Sequence, residues 1–315
     1  RQYSPSSLLF TEMVTTSALL HGEQTDLLDF NDCEHPVALQ LGGNDPAAMA
    51  ECAAMAEALG YDEVNINVGC PSDRVQKGAF GACLMREPQL VAACVKAMQA
   101  VCSIPVTVKT RTGIVLKDAP DEYSNLDFLF RLVDTLVESG CQRLYLHARV
   151  AVLEGLSPAQ NRDIPPLTPE KGEAIKLRHP DLELILNGGI THLANALAPM
   201  TWADGIMIGR AAYHRPRFLS ELEQNLYDTD FRIDESAIFD RYVAYMSTQL
   251  NQGVKLNILT KHLLHCFSGK PGARRYRQIL SDSKRLNAND FDLVHEAYSA
   301  LRLHSAQTEV GLNAG

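Results

Sequence analysis

Seven short apolar runs with β character, Leu8–Val14, Val37–Leu41, Val64–Val68, Val106–Thr110, Arg143–Leu146, Leu182–Leu186 and Gly205–Ile208, are each followed by a longer segment with helical spacing. Such alternation specifies βαβ units, and these build a parallel sheet, either doubly wound or closed as a (β/α)8 barrel. The ends of the runs decide between the two. Six of them close in polar or glycine residues: Gln40 with Gly42 and Gly43, Asn67 with Gly69 and Cys70, Lys109 with Arg111, His147 with Arg149, Asn187 with Gly188 and Gly189, and Gly209 with Arg210. A barrel gathers the C-terminal ends of all its strands into one site, whereas a doubly wound sheet concentrates ligands at a single switch point. The expected fold is therefore α/β, a TIM (β/α)8 barrel. Leu8–Val14 already reads as an interior strand followed by a helix, so the barrel's first strand is expected to be missing from the given sequence, ahead of Arg1.

After Tyr213 the strand rhythm ends, and Phe239–Met246, Leu256–Phe267 and Phe291–Leu301 carry helical spacing. The reading is a catalytic barrel over residues 1–220 and a small all-helical domain over 221–315. With 29 basic and 38 acidic side chains the formal charge is -9, which argues against indiscriminate adhesion to nucleic acid. The distribution is uneven, however. Within Gly253–Leu286, Lys255, Lys261, Lys270, Arg274, Arg275, Arg277, Lys284 and Arg285 face one acid, Asp282. No apolar run approaches the roughly 20 residues of a membrane span. Eight scattered cysteines without paired metal spacing indicate a reducing cytoplasm, and no metal is expected.

Asn187-Gly188-Gly189 and Gly209-Arg210 end consecutive strands, where backbone N–H groups and an arginine suit a phosphate-bearing ligand. Lys109 is the one basic residue inside its apolar run. It could form a Schiff base or stand beside an anionic cofactor such as a reduced flavin. Cys70, fixed by Pro71, is a placed thiol suited to proton donation or nucleophilic attack, and Cys83 competes with it, whereas Cys52, Cys94 and Cys141 read as packed cysteines. His147 is followed by a long insertion, through Leu153–Pro158 and Asn161–Pro166, of the kind that carries function.

The blocks Asn67-Val-Gly-Cys-Pro-Ser-Asp-Arg-Val-Gln76, Gly81-Ala-Cys-Leu84, Val108-Lys-Thr-Arg-Thr-Gly113, His147-Ala-Arg149, Gly155-Leu-Ser-Pro158, Asn161-Arg162, Ile164-Pro-Pro166 and Asn187-Gly-Gly-Ile190 resemble the tRNA-dihydrouridine synthases, most closely the bacterial A-type subfamily. The resemblance runs from about residue 8 to 286. It implies FMN-dependent reduction of the C5=C6 bond of a D-loop uridine, with NADPH as reductant, on a TIM barrel followed by a helical domain. It assigns proton delivery to Cys70. It places Gln40, Lys109, His147, Asn187, Gly188, Gly189, Gly209 and Arg210 around the FMN, and Asn67, Arg149, Arg162, Arg274 and Arg277 against tRNA. Positions 20 and 20a are the implied targets, and a monomer is expected. No Ala-Pro-Met segment like the one on the family's first strand stands ahead of Leu8–Val14 in these residues.

Three other readings fit parts of the pattern. A small-molecule pyrimidine flavin reductase related to the dihydroorotate dehydrogenases would not need the basic helical tail. A Schiff-base aldolase built on Lys109 would be colourless. A non-catalytic RNA-binding module would leave six furnished strand ends without a use.

Overall fold

The computed structural model describes residues 1–22, 27–119 and 121–312, with side chains through 302. The chain divides into two compact units, one of 6–208 with Arg1 and the other of 209–315 with Gln2–Pro5. In the first unit the strands are β1 (Leu9–Phe10), β2 (Val14–Thr15), β3 (Val37–Gly42), β4 (Glu63–Val68), β5 (Val106–Arg111), β6 (Ile114–Val115), β7 (Arg143–His147), β8 (Ala151–Val152), β9 (Glu183–Asn187) and β10 (Gly205–Met207). Eight of them form one sheet in which β1 and β2 both pair with β3, followed in order by β4, β5, β7, β9 and β10, every pairing parallel. The short β6 and β8 pair with each other beside it. Helices α1 (Thr16–His21), α2 (Pro46–Ala58), α3 (Asp73–Lys77), α4 (Pro88–Gln99), α5 (Leu126–Glu138), α6 (Pro169–Arg178) and α7 (Leu193–Leu197) fall between the strands. This is the sheet of a β/α barrel with seven strand positions, and no pairing joins β10 to β1 among the described residues.

Six of the seven runs form strands within one residue of the expected bounds; the first is interrupted between Phe10 and Val14. There the Thr11 hydroxyl accepts the Gln40 amide at 3.1 Å, so a side chain replaces the backbone acceptor and the ladder skips a rung. Capping fixes the helix starts. Asp45 accepts the Ala48 amide ahead of Pro46, and Asn125 accepts that of Phe128.

The pleat gives the sheet two different faces. Val64, Ile66 and Val68 of β4 and Val106 and Val108 of β5 pack against Met49 and Cys52 of α2, Val91 and Val95 of α4, and Leu129 and Leu132 of α5. The other face, turned into the barrel, carries Glu63, Asn65 and Asn67 from β4, Thr107, Lys109 and Arg111 from β5, and Arg143, Tyr145 and His147 from β7. A barrel interior is ordinarily filled by Val, Ile and Leu. This one is polar.

The second unit contains α8 (Arg210–His214), α9 (Arg217–Leu226), α10 (Glu235–Asn251), α11 (Leu256–Thr260), α12 (Ala273–Leu280), α13 (Ser283–Asn287) and α14 (Asp292–Leu312). Within it α8 packs on α9, and buried Glu223 accepts the Ser4 hydroxyl. Its core is Phe239, Met246, Leu256, Leu259, Leu263, Phe267, Tyr276, Ile279, Leu280, Leu293 and Val294. Phe239 stacks on Tyr298 at 3.8 Å, and the buried Tyr276 hydroxyl donates to the Leu263 carbonyl. The helical pattern expected over Leu256–Phe267 stops at Thr260, and 261–269 continue as turns that still bury Leu263 and Phe267.

Candidate active site

The strand register assembles the expected residues of the first unit into one arc of strand ends. Asn67 lies beside Lys109, Arg111 beside His147, and His147 beside Asn187. Gln40, one layer lower, is beside Asn65. The Asn187 amide donates to the Met207 carbonyl at 2.7 Å, tying β9 to β10. Gly188 and Gly189 adopt φ of 115° and 70°, a region that excludes side chains without strain. A Cβ at Gly188 would stand 2.8 Å from the His147 ring, so the glycine lets the imidazole lie against the backbone.

Cys70 follows β4 on a loop held from both sides. The Asn67 side-chain oxygen accepts the backbone N–H groups of Gly69 and Cys70 at 3.1 and 3.0 Å. Behind the loop, Ala82 donates to the Cys70 carbonyl at 2.9 Å, and a Cβ on Gly81 would stand 2.7 Å from that same oxygen. This explains the Gly81-Ala-Cys-Leu84 turn. The half-buried Cys70 thiol lies 3.5 Å from the Ser72 hydroxyl. Cys83 is committed elsewhere: its thiol donates to the Phe80 carbonyl at 2.9 Å, and burial raises its pKa. Burial pushes Cys52 and Cys94 up to about 11 and Cys141 to about 12, the behaviour of packed thiols.

Lys109 is half-buried and makes no hydrogen bond or ion pair among the described residues. Burial lowers its ammonium to about 8; the Arg111 cation pushes the same way, and the Cys70 thiolate would oppose. A cation that no carboxylate offsets is a receptor for an anion. In cofactor-free protein labelled at the lysine ε-carbon, an NMR titration is expected to give Lys109 a midpoint near 8, against about 10.4 for an ordinary lysine. A midpoint above 10 would show that an anionic neighbour already neutralises it.

Arg111, at the same strand end as Lys109, is buried and spans the loops. Its Nε donates to the Gly69 carbonyl at 2.9 Å and its Nη1 to the carbonyls of Val150 and Asn161 at 3.0 and 3.1 Å. Asn161, fully buried, exchanges two hydrogen bonds with the Val152 backbone. Gln76 donates to both the Pro71 and Leu153 carbonyls at 2.9 Å. Arg149 turns its guanidinium onto the Pro165 and Asp163 carbonyls, so it shapes the insertion, while Arg162 stands exposed on a 3₁₀ turn.

In the second unit Gly209 directly precedes α8, whose first residue is Arg210. Helix α12 buries Ala273, Tyr276, Ile279 and Leu280, leaving Arg274 exposed and Arg277 half-buried on its other side. Burial, reinforced by His214 and Arg277, holds the His265 imidazole below its ordinary pKa. Exposed Tyr213 stands among His214, His262 and His265 at 5.6 to 6.1 Å. Part of the basic block is neutralised by partners outside it, Lys270 by Glu235 and Arg285 by Asp290 and Glu296.

Residues missed in the sequence include Glu63, Asn65, Thr107 and Tyr145. The signal was present: Glu63–Val68 and Val106–Lys109 alternate strictly between polar and apolar. The histidines beside Tyr213 had no sequence signal, since the fold alone brings 213–214 to 262–265.

Comparison with known proteins agrees with this geometry. The family described as "Dihydrouridine synthase (Dus)" matches residues 1–301. The "tRNA-dihydrouridine(20/20a) synthase" of Shewanella oneidensis is 46% identical over 303 residues, covering 96% of this chain and 88% of that protein. Those of Escherichia coli K12 and Pseudomonas syringae pv. tomato are each 47% identical, covering 94% and 96% of this chain and 85% and 89% of theirs. A barrel with a loop-held cysteine, an uncompensated lysine and a helical second unit, matched along nearly its whole length, belongs to the dihydrouridine synthase family.

Proposed function

We propose that this chain is a tRNA-dihydrouridine synthase acting on D-loop uridines at positions 20 and 20a, with FMN as cofactor and NADPH as reductant, as a monomer in the cytoplasm. The observation that carries the reading is Lys109: a half-buried cation without a partner among the described residues, one strand from the Asn67 that holds the Cys70 loop.

The residues fit a flavin. Lys109 would face its anionic region; Gln40 and His147 would contact the ring and ribityl chain; Asn187, Gly188, Gly189, Gly209 and Arg210 would take the phosphate. When bound, the flavin supplies the hydride for uracil C6. Cys70 would deliver its S–H proton to C5, the carbon left electron-rich once C6 has taken the hydride, as a thiol positioned by its own backbone. Asn67 has both accepted bonds of its oxygen used by Gly69 and Cys70, so it offers the uracil only an N–H. Arg149, Arg162, Arg274 and Arg277 would meet the RNA, Arg149 through the insertion it shapes. A uridine inside folded tRNA must be extruded to reach the barrel, and the helical unit over 221–315 would hold the RNA meanwhile.

The test is an absorption spectrum followed by anaerobic NADPH reduction and reoxidation by tRNA lacking dihydrouridine. Yellow protein reoxidised by tRNA and not by orotate or free uridine is the expected result. Reoxidation by the small pyrimidine alone would assign the protein to small-molecule reduction, and a colourless protein that cannot take up FMN would overturn the reading.

A further inference from the structure

The polar residues inside the barrel are joined in one continuous line. The Cys70 backbone N–H donates to the Asn67 oxygen at 3.0 Å, and the Asn67 Nδ2 to the Gln40 Oε1 at 2.8 Å. The Gln40 Nε2 donates to the Asn65 oxygen at 2.9 Å, and the Asn65 Nδ2 to the Thr107 hydroxyl at 2.8 Å. Thr107 then donates to the Glu63 Oε1 at 2.6 Å. The other Glu63 oxygen accepts from Arg143 and from the Tyr145 hydroxyl, so the carboxylate is anchored at the far end. Asn65, Thr107 and Glu63 are at most 1% exposed.

Every hydrogen bond in this line points the same way. An amide side chain reverses its donor and acceptor ends by a half-turn at little cost of its own, so three amides in series could run in either direction. The ends remove that freedom: a backbone N–H can only donate, and a carboxylate can only accept. Same-sense chains also polarise one another, which strengthens each bond. Apolar side chains would fill this space without any desolvation penalty.

We propose that Glu63, Thr107 and Asn65 are positioning residues that set the amide orientation of Gln40 and Asn67, and through Asn67 the geometry of the Cys70 loop. This rests on the reading of Cys70 as proton donor. If the line reverses, the Asn67 Nδ2 is turned toward the Gly69 and Cys70 N–H groups, donor meets donor, and the loop loses its hold. Glu63 thus acts on the reacting thiol from five hydrogen bonds away without touching substrate or cofactor.

Thr107→Val cuts the line at one atom and leaves the Glu63, Arg143 and Tyr145 contacts in place; Thr107→Ser restores the hydroxyl. Two readouts are compared in the FMN-bound protein. The first is the rate of iodoacetamide alkylation at Cys70, followed by peptide mass spectrometry with the buried Cys94 and Cys141 as monitors of global opening. Thr107→Val is expected to raise it severalfold with the monitors unreacted, and Thr107→Ser to return it to the wild-type rate. The second is the maximal rate of flavin reoxidation by tRNA, expected to fall by about tenfold or more in Thr107→Val with KM for tRNA unchanged, since small misplacements of a reacting group cost up to about 10²-fold. Glu63→Gln, which can donate to Thr107 and so permits both directions, is expected to move both readouts likewise. Wild-type alkylation in Thr107→Val or in Glu63→Gln, or equal changes in Thr107→Val and Thr107→Ser, would overturn the proposal. Alkylation needs no tRNA chemistry, so a wild-type protein inactive on tRNA would sink the functional reading while this comparison still decided the positioning line.

Discussion

Cys70→Ala is expected to keep its flavin and its NADPH reduction while turnover on tRNA falls by roughly 10²–10⁴-fold, the contribution of a positioned general acid. The reasoning is local. The loop is held through backbone groups, by Asn67 on one side and Ala82 on the other, so removing the sulfur leaves the loop geometry intact. Cofactor content measured by absorbance and single-turnover reoxidation measured by stopped flow separate the two effects. Cys83→Ala is the control: its thiol is spent on the Phe80 carbonyl, and the variant should reoxidise with tRNA at near the wild-type rate. Retained turnover in Cys70→Ala with loss in Cys83→Ala would exchange their roles.

The largest effect on stability is expected at Arg111→Met. The substitution keeps the aliphatic stem and removes three hydrogen bonds, to Gly69, Val150 and Asn161. Bonds from a charged donor contribute about 1.5–3 kcal/mol each, and removing the buried guanidinium relieves its desolvation and offsets part of their sum, so a loss of about 3–5 kcal/mol is expected. For a chain of this size that corresponds to about 5–8 °C in Tm. Thermal unfolding followed by circular dichroism reads the total, and limited proteolysis across 150–162 reads where it is lost. A shift under about 2 °C would show that water replaces the guanidinium at all three carbonyls.

The strands were legible because each carries enough apolar residues to read against the helical spacing that follows it. Chemistry at their ends was legible because polar and glycine residues there have no packing role. Cys70, Lys109 and the glycine pair Gly188 and Gly189 could be picked out for that reason. Residues whose work lies in the middle of a strand were harder. Asn65 and Thr107 look like ordinary members of mixed strands until the pleat sends them into the barrel and the register sets them side by side. Arg149 shows the opposite case. It stands out as a strand-end arginine, but nothing in the sequence shows that the insertion folds back over it and sets its guanidinium on the Asp163 and Pro165 carbonyls. The break between Phe10 and Val14 was hidden for a third reason, since a threonine hydroxyl standing in for a carbonyl leaves no trace in apolar periodicity.

Gln76 joins Pro71, next to the thiol, to Leu153 in the insertion, and Arg111 makes a second join between Gly69 and Asn161. Two attachments at separate points leave neither segment free to pivot about a single bond. The loop that carries Cys70 and the insertion that carries Arg162 are therefore braced to each other, so that one cannot be displaced without breaking or dragging the bonds that hold the other.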